Sequence, residues 1–218
     1  MRTKKSHYIQ DLILEGEHEH QDFKYQITDA REIARSIAAF ANNSGGHLLI
    51  GVKDNGNIAG VRSDEEIYMI ETAAQMYCRP EQHVTFKVFN VNGKQVVKAD
   101  IAEAVEKPVE APDDNGNWHV YYRVADENVL ASRLHERIMS AEESTASDPE
   151  EATTISYSDR EQLLLEYLRN HGGITLEGYM KLAHISEERA MKVIVALHGM
   201  GVVSLQYHDG QCLIVGAQ

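Results

Sequence analysis

The chain has 218 residues, 43% of them apolar and 25% charged, enough for one large domain or two modest ones without disulfide or metal staples. Its two cysteines, Cys78 and Cys212, stand far apart and outside any CxxC spacing, and no apolar run approaches the ~20 residues of a membrane span. A net charge of −13 argues against an ordinary nucleic-acid binder, so any such role must rest on a local basic face.

Asp29 and Glu32 have capping-box spacing, and the helix behind them places Ile33, Ile37, Phe40 and Ala41 on one face. It stops at Asn42-Asn43-Ser44-Gly45-Gly46, where Asn and Gly accept left-handed angles. His47–Val52 reads as a buried strand, Asp54–Asn57 as a turn into Ile58–Val61, and Asp64–Met76 as a second helix. Val84–Val91 and Gln95–Ile101 form a hairpin about Asn92-Gly93. Beyond the Pro108/Pro112 loop come a strand, Trp118–Val124, and a helix over Ala125–Ile138. Strands in hairpins outnumber helices, so the class is α+β with a mixed sheet.

Met139–Ser156 is rich in Ser, Thr, Ala and Glu and lacks aromatic residues, which predicts a flexible acidic linker. The domains are then 1–138 and 157–218. In the second, Ser158 and Glu161 form a capping box before Leu163–Leu168, Thr175 caps Leu176–Ala183, and Ser186 caps a third helix with Ala190, Val193, Ile194 and Leu197 inward. Val202–Tyr207 and Gln211–Val215 flank the turn His208-Asp209-Gly210. Three helices and a hairpin form the plan of a winged helix-turn-helix.

One series of motifs is specific. Glu17-x4-Asp22-Phe23-Lys24, Ile37–Gly46 (IAAFANNSGG), Leu49–Asp54 (LIGVKD), Ile58-Ala59-Gly60-Val61 and Tyr121-Tyr122-Arg123-Val124 occur in that order. The series, over about Ile13 to Ala131, resembles the Schlafen AlbA_2 family of bacterial transcriptional regulators and Schlafen proteins, in which a winged helix is a common companion. The resemblance implies an α+β nucleic-acid-binding protein, with DNA favoured over RNA, and the sparse cysteines fit a reducing cytoplasm. Some relatives carry an ATP-binding label, but this chain has no GxxxxGK[ST] loop, and Gly45-Gly46 is more simply a helix exit.

In ribonuclease-active Schlafen relatives three acidic residues hold a divalent metal, and by motif these positions are Glu17, Asp22 and Asp54. Clustered carboxylates suit Mg²⁺ or Mn²⁺, which activates water and neutralises a departing phosphate oxygen. Asp22 stands where the family usually has Glu. The bland alternatives are a solvated Glu17, an Asp54 that serves a turn, and an Asp22 paired with Lys24 or Arg123. No cofactor is expected outside this nuclease alternative. His18, His20 and His47 also offer imidazoles, but no Cys joins them, and 11 histidines make chance neighbours expected.

For phosphate contacts the candidates are Lys24, Arg31, Arg35, Lys53 and Arg123 in the first domain, and Arg189 and Lys192 in the second. Glu187 and Glu188 crowd that last helix and its wing has no cation, so it suits a docking surface as well as DNA. Met191 and Val195, on the side away from its core residues, with Met200 beyond, point to a homodimer through this domain.

Overall fold

The computed structural model describes residues 2–61, 64–147, 159–208 and 211–217. They form two compact units, Met1–Leu130 and Ala131–Gln218.

In the first unit α1 (Arg2–Glu15), β1 (Gln21–Lys24), α2 (Ala30–Asn42) and β2 (Gly46–Ile50) precede α3 (Glu65–Met76) and the hairpin β3 (Val84–Val91) and β4 (Lys94–Ile101). These strands make one sheet, ordered β1-β2-β4-β3, in which β1 runs parallel to β2 and the other pairs are antiparallel. A second antiparallel sheet, β5 (Glu110–Pro112), β6 (Trp118–Val124) and β7 (Glu127–Leu130), packs on α2.

The α2 helix begins at Asp29, whose carboxylate accepts the Arg31 N–H at 2.8 Å. Its alanines let it run buried, and Ile33, Ile37 and Phe40 share a core with Leu48 and Ile50 of β2 and with Ala111 and Tyr121 of the second sheet. On the other face of the first sheet, Ile9 of α1 joins Phe23, Leu49, Phe89 and Val96. Gly45 takes φ +76°, and a Cβ there would lie 2.8 Å from the Ile101 carbonyl oxygen. A Cβ at Gly46 would strike the Phe40 ring. The glycine pair is thus the exit that lets α2 turn tightly into β2.

The second unit holds α4 (Arg133–Ser147), α5 (Asp159–His171), β8 (Gly173–Ile174), α6 (Leu176–Ala183), α7 (Glu187–Gly199), β9 (Val203–His208) and β10 (Gln211–Gly216). Its antiparallel sheet is ordered β8-β10-β9. Thr175 and Ser186 cap α6 and α7 as their positions predict.

Three expectations change here. The helix expected over Ala125–Ile138 begins only at Arg133, because Ala125 at φ +52° turns the chain back and pairs β7 with β6. Ser132 then accepts the His135 N–H at 3.2 Å and starts α4. The expected linker 139–156 is helical through Ser147, with Met139 buried, while 148–156 lie outside the described residues, as do Ser158 and the turn residues 209–210. Leu134 and Ile138 join the core of α5–α7, so α4 groups with the second unit and the first ends at Leu130. Finally, Met191 is buried in that core and Val195 packs against it, which removes their part in the argument for a dimer and leaves Met200 exposed. Among the described residues no helix is long and apolar enough to cross a membrane.

Candidate nucleic-acid interface and carboxylate pocket

The end of α2 is fastened to the second sheet by side chains that imitate a β-ladder. Asn42, buried, donates to the Val109 and Tyr121 carbonyls at 2.8 and 2.6 Å and accepts the Val109 N–H at 2.7 Å. Asn43 brackets Arg123 in the same way, donating to its carbonyl at 2.9 Å and accepting its N–H at 3.0 Å. The two asparagines of the AFANNSGG run are thereby accounted for as amide-to-backbone latches.

Arg123, held in place by Asn43, is only 2% exposed. Its guanidinium donates to the carbonyls of His18 and Gln21 and to Asn128, lies 3.6 Å from Asp22 and stacks 4.9 Å from the Phe40 ring. It ties β6 to β1 and is too deep to meet a phosphate, which corrects its place among the binding candidates.

Asp22 and Lys24 alternate along β1 and share a face, so the Lys24 ammonium lies 3.1 Å from Asp22 Oδ2. Asp22 is 4% exposed, and among the described residues Oδ2 has no well-directed hydrogen bond. Glu17 reaches the same place from the preceding loop and accepts the Phe23 N–H at 3.0 Å. Burial, a hydrogen bond to Asp22 and the charges of Asp22 and Asp54 raise the Glu17 pKa above its ordinary value, against the lowering effect of Phe23 N–H. Glu17 and Asp22 therefore meet, and the Asp22 charge disfavours ionisation of Glu17. Asp54, exposed on the following turn, acts on Glu17 through its charge, while the turn's own side-chain acceptor is Asn55.

A divalent metal fits this arrangement poorly. Asp22 is already faced by Lys24 and Arg123. Among the described residues no three His, Cys, Asp or Glu side chains lie close enough to hold an ion.

The histidines have other partners. His20 Nδ1 is 3.0 Å from the Gly45 carbonyl oxygen and His47 Nε2 is 2.8 Å from Gln21 Oε1. Burial, reinforced by Lys98, lowers the His47 pKa to about 4. Gln21, fully buried, also donates to the Leu12 and Gly16 carbonyls at the end of α1, both at 2.6 Å. Gln21 has no signal of its own in the sequence beyond its position within the Glu17–Lys24 motif.

The remaining cations divide. Lys53 is exposed, with its ammonium 5.2 Å from the Tyr25 ring. Arg31 is exposed and lies 6.0 Å from the Tyr77 ring. Arg35 is engaged by Asp114 at 3.0 Å and by the Tyr121 hydroxyl. In α7, Lys192 pairs with Glu188 at 2.9 Å, while Arg189 is exposed. Arg79, not among the sequence candidates, is exposed and sits 3.6 Å from the ring of Trp118.

No curated protein matches the sequence. Among solved structures, the chain is similar to the DIP2311 protein of Corynebacterium diphtheriae at 20% identity and a TM-score of 0.48. That likeness covers 89% of this chain and 37% of the other, so the chain spans little more than a third of that protein's length. It is also similar to the N-terminal domain of a RecG-related protein from Nitrosomonas europaea, at 19% identity and a TM-score of 0.42, over 59% of this chain and 95% of that one. The family model described as Schlafen, AlbA_2 matches residues 17–132, more than half of the chain and the whole of the stretch that carries the carboxylate pocket, the asparagine latches and Lys53. The chain belongs to the Schlafen AlbA_2 family.

Proposed function

We propose that the chain is a nucleic-acid-binding regulator, with its AlbA_2 unit as the part that contacts the nucleic acid. The observation that carries this reading is Lys53, an exposed ammonium over Tyr25, on the turn that follows β2 and next in sequence to Asp54. A cation held on an aromatic ring offers a phosphate contact and a stacking face together. The second unit, read as a winged helix-turn-helix, serves better as a docking module, since Lys192 is already paired and Glu187 and Glu188 open α7. Duplex DNA, single-stranded DNA and RNA are compared by anisotropy of end-labelled oligonucleotides. Lys53→Ala weakens binding to all sequences alike and lowers the salt slope by about one. An affinity and slope unchanged by Lys53→Ala move the contact elsewhere.

The alternative, a metal-dependent endoribonuclease, has one observation in its favour: Glu17 and Asp22 meet, and Asp54 adds to their repulsion. The same titrations with Mn²⁺ present test it. Cleavage of RNA by the wild type that is lost in Glu17→Gln would establish the enzyme, and intact RNA over the whole series would remove it.

A further inference from the structure

We propose that Arg79 and Trp118, flanked by Arg31 and Tyr77, form a stacking surface for an unpaired base of a single-stranded nucleic acid. The inference rests on the nucleic-acid reading of the AlbA_2 unit and adds to it a second contact, with a substrate preference of its own.

Three separated pieces of chain build the surface. The start of α2 brings Arg31 and Arg35, the segment leaving α3 brings Tyr77 and Arg79, and the hairpin between β5 and β6 brings Asp113 to Trp118. A two-way bridge fixes the middle piece to the third. The Arg79 N–H donates to the Glu110 carbonyl at 3.0 Å, and the Glu110 N–H returns the bond to Arg79 at 2.7 Å. Since Pro112 pairs with Trp118, this bridge sets the Arg79 side chain against the indole, with the guanidinium carbon 3.6 Å from the ring centroid.

Two carboxylates of the hairpin are engaged within the protein. The Asp114 carboxylate is engaged by Arg35 at 3.0 Å. Asp113 accepts from the side chain and backbone of Asn117 and from the Asn115 N–H, and lies 3.4 Å from His119. Arg31 lies 6.0 Å from the Tyr77 ring and donates to the Asp114 carbonyl at 3.5 Å, Arg79 lies on Trp118, and neither guanidinium has a carboxylate partner among the described residues. An exposed guanidinium on an indole extends the aromatic face with a second planar layer. A nucleobase stacks on such a layer while an adjacent phosphate meets the neighbouring arginine. Bases inside a duplex are already stacked on one another, so the surface selects unpaired ones.

Trp118 is the chain's single tryptophan, so its emission reports this surface alone. The full chain is titrated at low salt with oligo-dT and oligo-U of about ten nucleotides, a length within the usual site sizes for single strands. Tryptophan fluorescence and the anisotropy of an end-labelled copy are followed together, with a duplex of equal length as comparison. The expected result is quenching that tracks the anisotropy for the single strands and is absent for the duplex. Arg79→Ala weakens single-strand binding roughly tenfold, as loss of one stacked base does. Arg79→Lys keeps the charge and loses the planar layer, and it weakens single-strand binding while leaving the duplex unaffected. Single-strand binding with unchanged Trp118 emission, or with both Arg79 variants at wild-type affinity, overturns the stacking surface and leaves the nucleic-acid reading in place. An anisotropy that moves with no oligonucleotide overturns that reading itself.

Discussion

Replacing Asn42 by alanine removes three hydrogen bonds of 2.6 to 2.8 Å and leaves the Val109 N–H and the Val109 and Tyr121 carbonyls without that partner. Val109 is fully buried, so water cannot replace the lost amide without opening the junction between α2 and the second sheet. A buried group left unpaired costs about 1–3 kcal/mol, and a second carbonyl lone pair costs less than an orphaned N–H. The sum is about 3–5 kcal/mol, a large part of the ~5–15 kcal/mol that holds a typical domain together. Asn43 makes the same pair of backbone bonds to Arg123 but is only half-buried, so Asn43→Ala costs about 1–2 kcal/mol. Urea unfolding followed by Trp118 emission reads the first unit alone, because that unit holds the only tryptophan. The latch account is refuted if Asn42→Ala costs less than about 1 kcal/mol, or if Asn43→Ala proves the more damaging of the two.

Acid acts on both units through neutral histidines. His135 lies against Ser132 and Tyr207 with His198 nearby, and burial lowers its pKa from 6.5 to about 4. The unfolded chain therefore takes up a proton that the fold resists, and stability present above pH ~6.5 is lost as pH falls towards 4, by about 2–3 kcal/mol. Hydrogen exchange over 131–218 from pH 7 to pH ~4 measures it, and a slope unchanged in His135→Gln contradicts it. His47, lowered for the same reason of burial, adds a loss of the same sign in the first unit. Because the Glu17 pKa is raised, its ionisation works against folding as pH rises past the ordinary carboxyl range. Glu17→Gln keeps the acceptor for Phe23 N–H and gives Asp22 a donor, so its midpoint temperature at pH 7 rises above the wild type's. A fall would show that Glu17 is needed as a charge.

The sequence made some elements readable because their causes are local. Asp29 and the spacing of Ile33, Ile37 and Phe40 define α2, and Asn92-Gly93, both at positive φ, define the turn of the β3–β4 hairpin. Others depend on distant partners. β1 is four residues long and exists because β2 pairs with it. Most of α1 is polar, and its few apolar residues, Ile9 among them, mean something only against Phe23 and Phe89. Arg123 reads as a surface cation until His18 and Gln21 from one segment and Asn128 from another surround it. Met191 reads as exposed when the helix that carries Leu134 and Ile138 is assigned to the first domain, and as core once that helix joins the second. The carboxylate pocket was legible as a motif, and both cations that face Asp22, Lys24 and Arg123, were legible as its alternative partners, although only the fold shows that the two act together. Trp118 and Arg79 left no periodic signal at all, because a stacked pair across two loops is written in no single segment.

The central claim is that this acidic chain carries a local nucleic-acid surface on its AlbA_2 unit. The most direct measurement is the affinity of the full chain for single-stranded and duplex oligonucleotides as a function of salt. The account predicts saturable binding at low salt that weakens linearly in log–log form, with a slope reflecting a few phosphate contacts rather than the whole-chain charge of −13. Absence of binding to every oligonucleotide at low salt would contradict it.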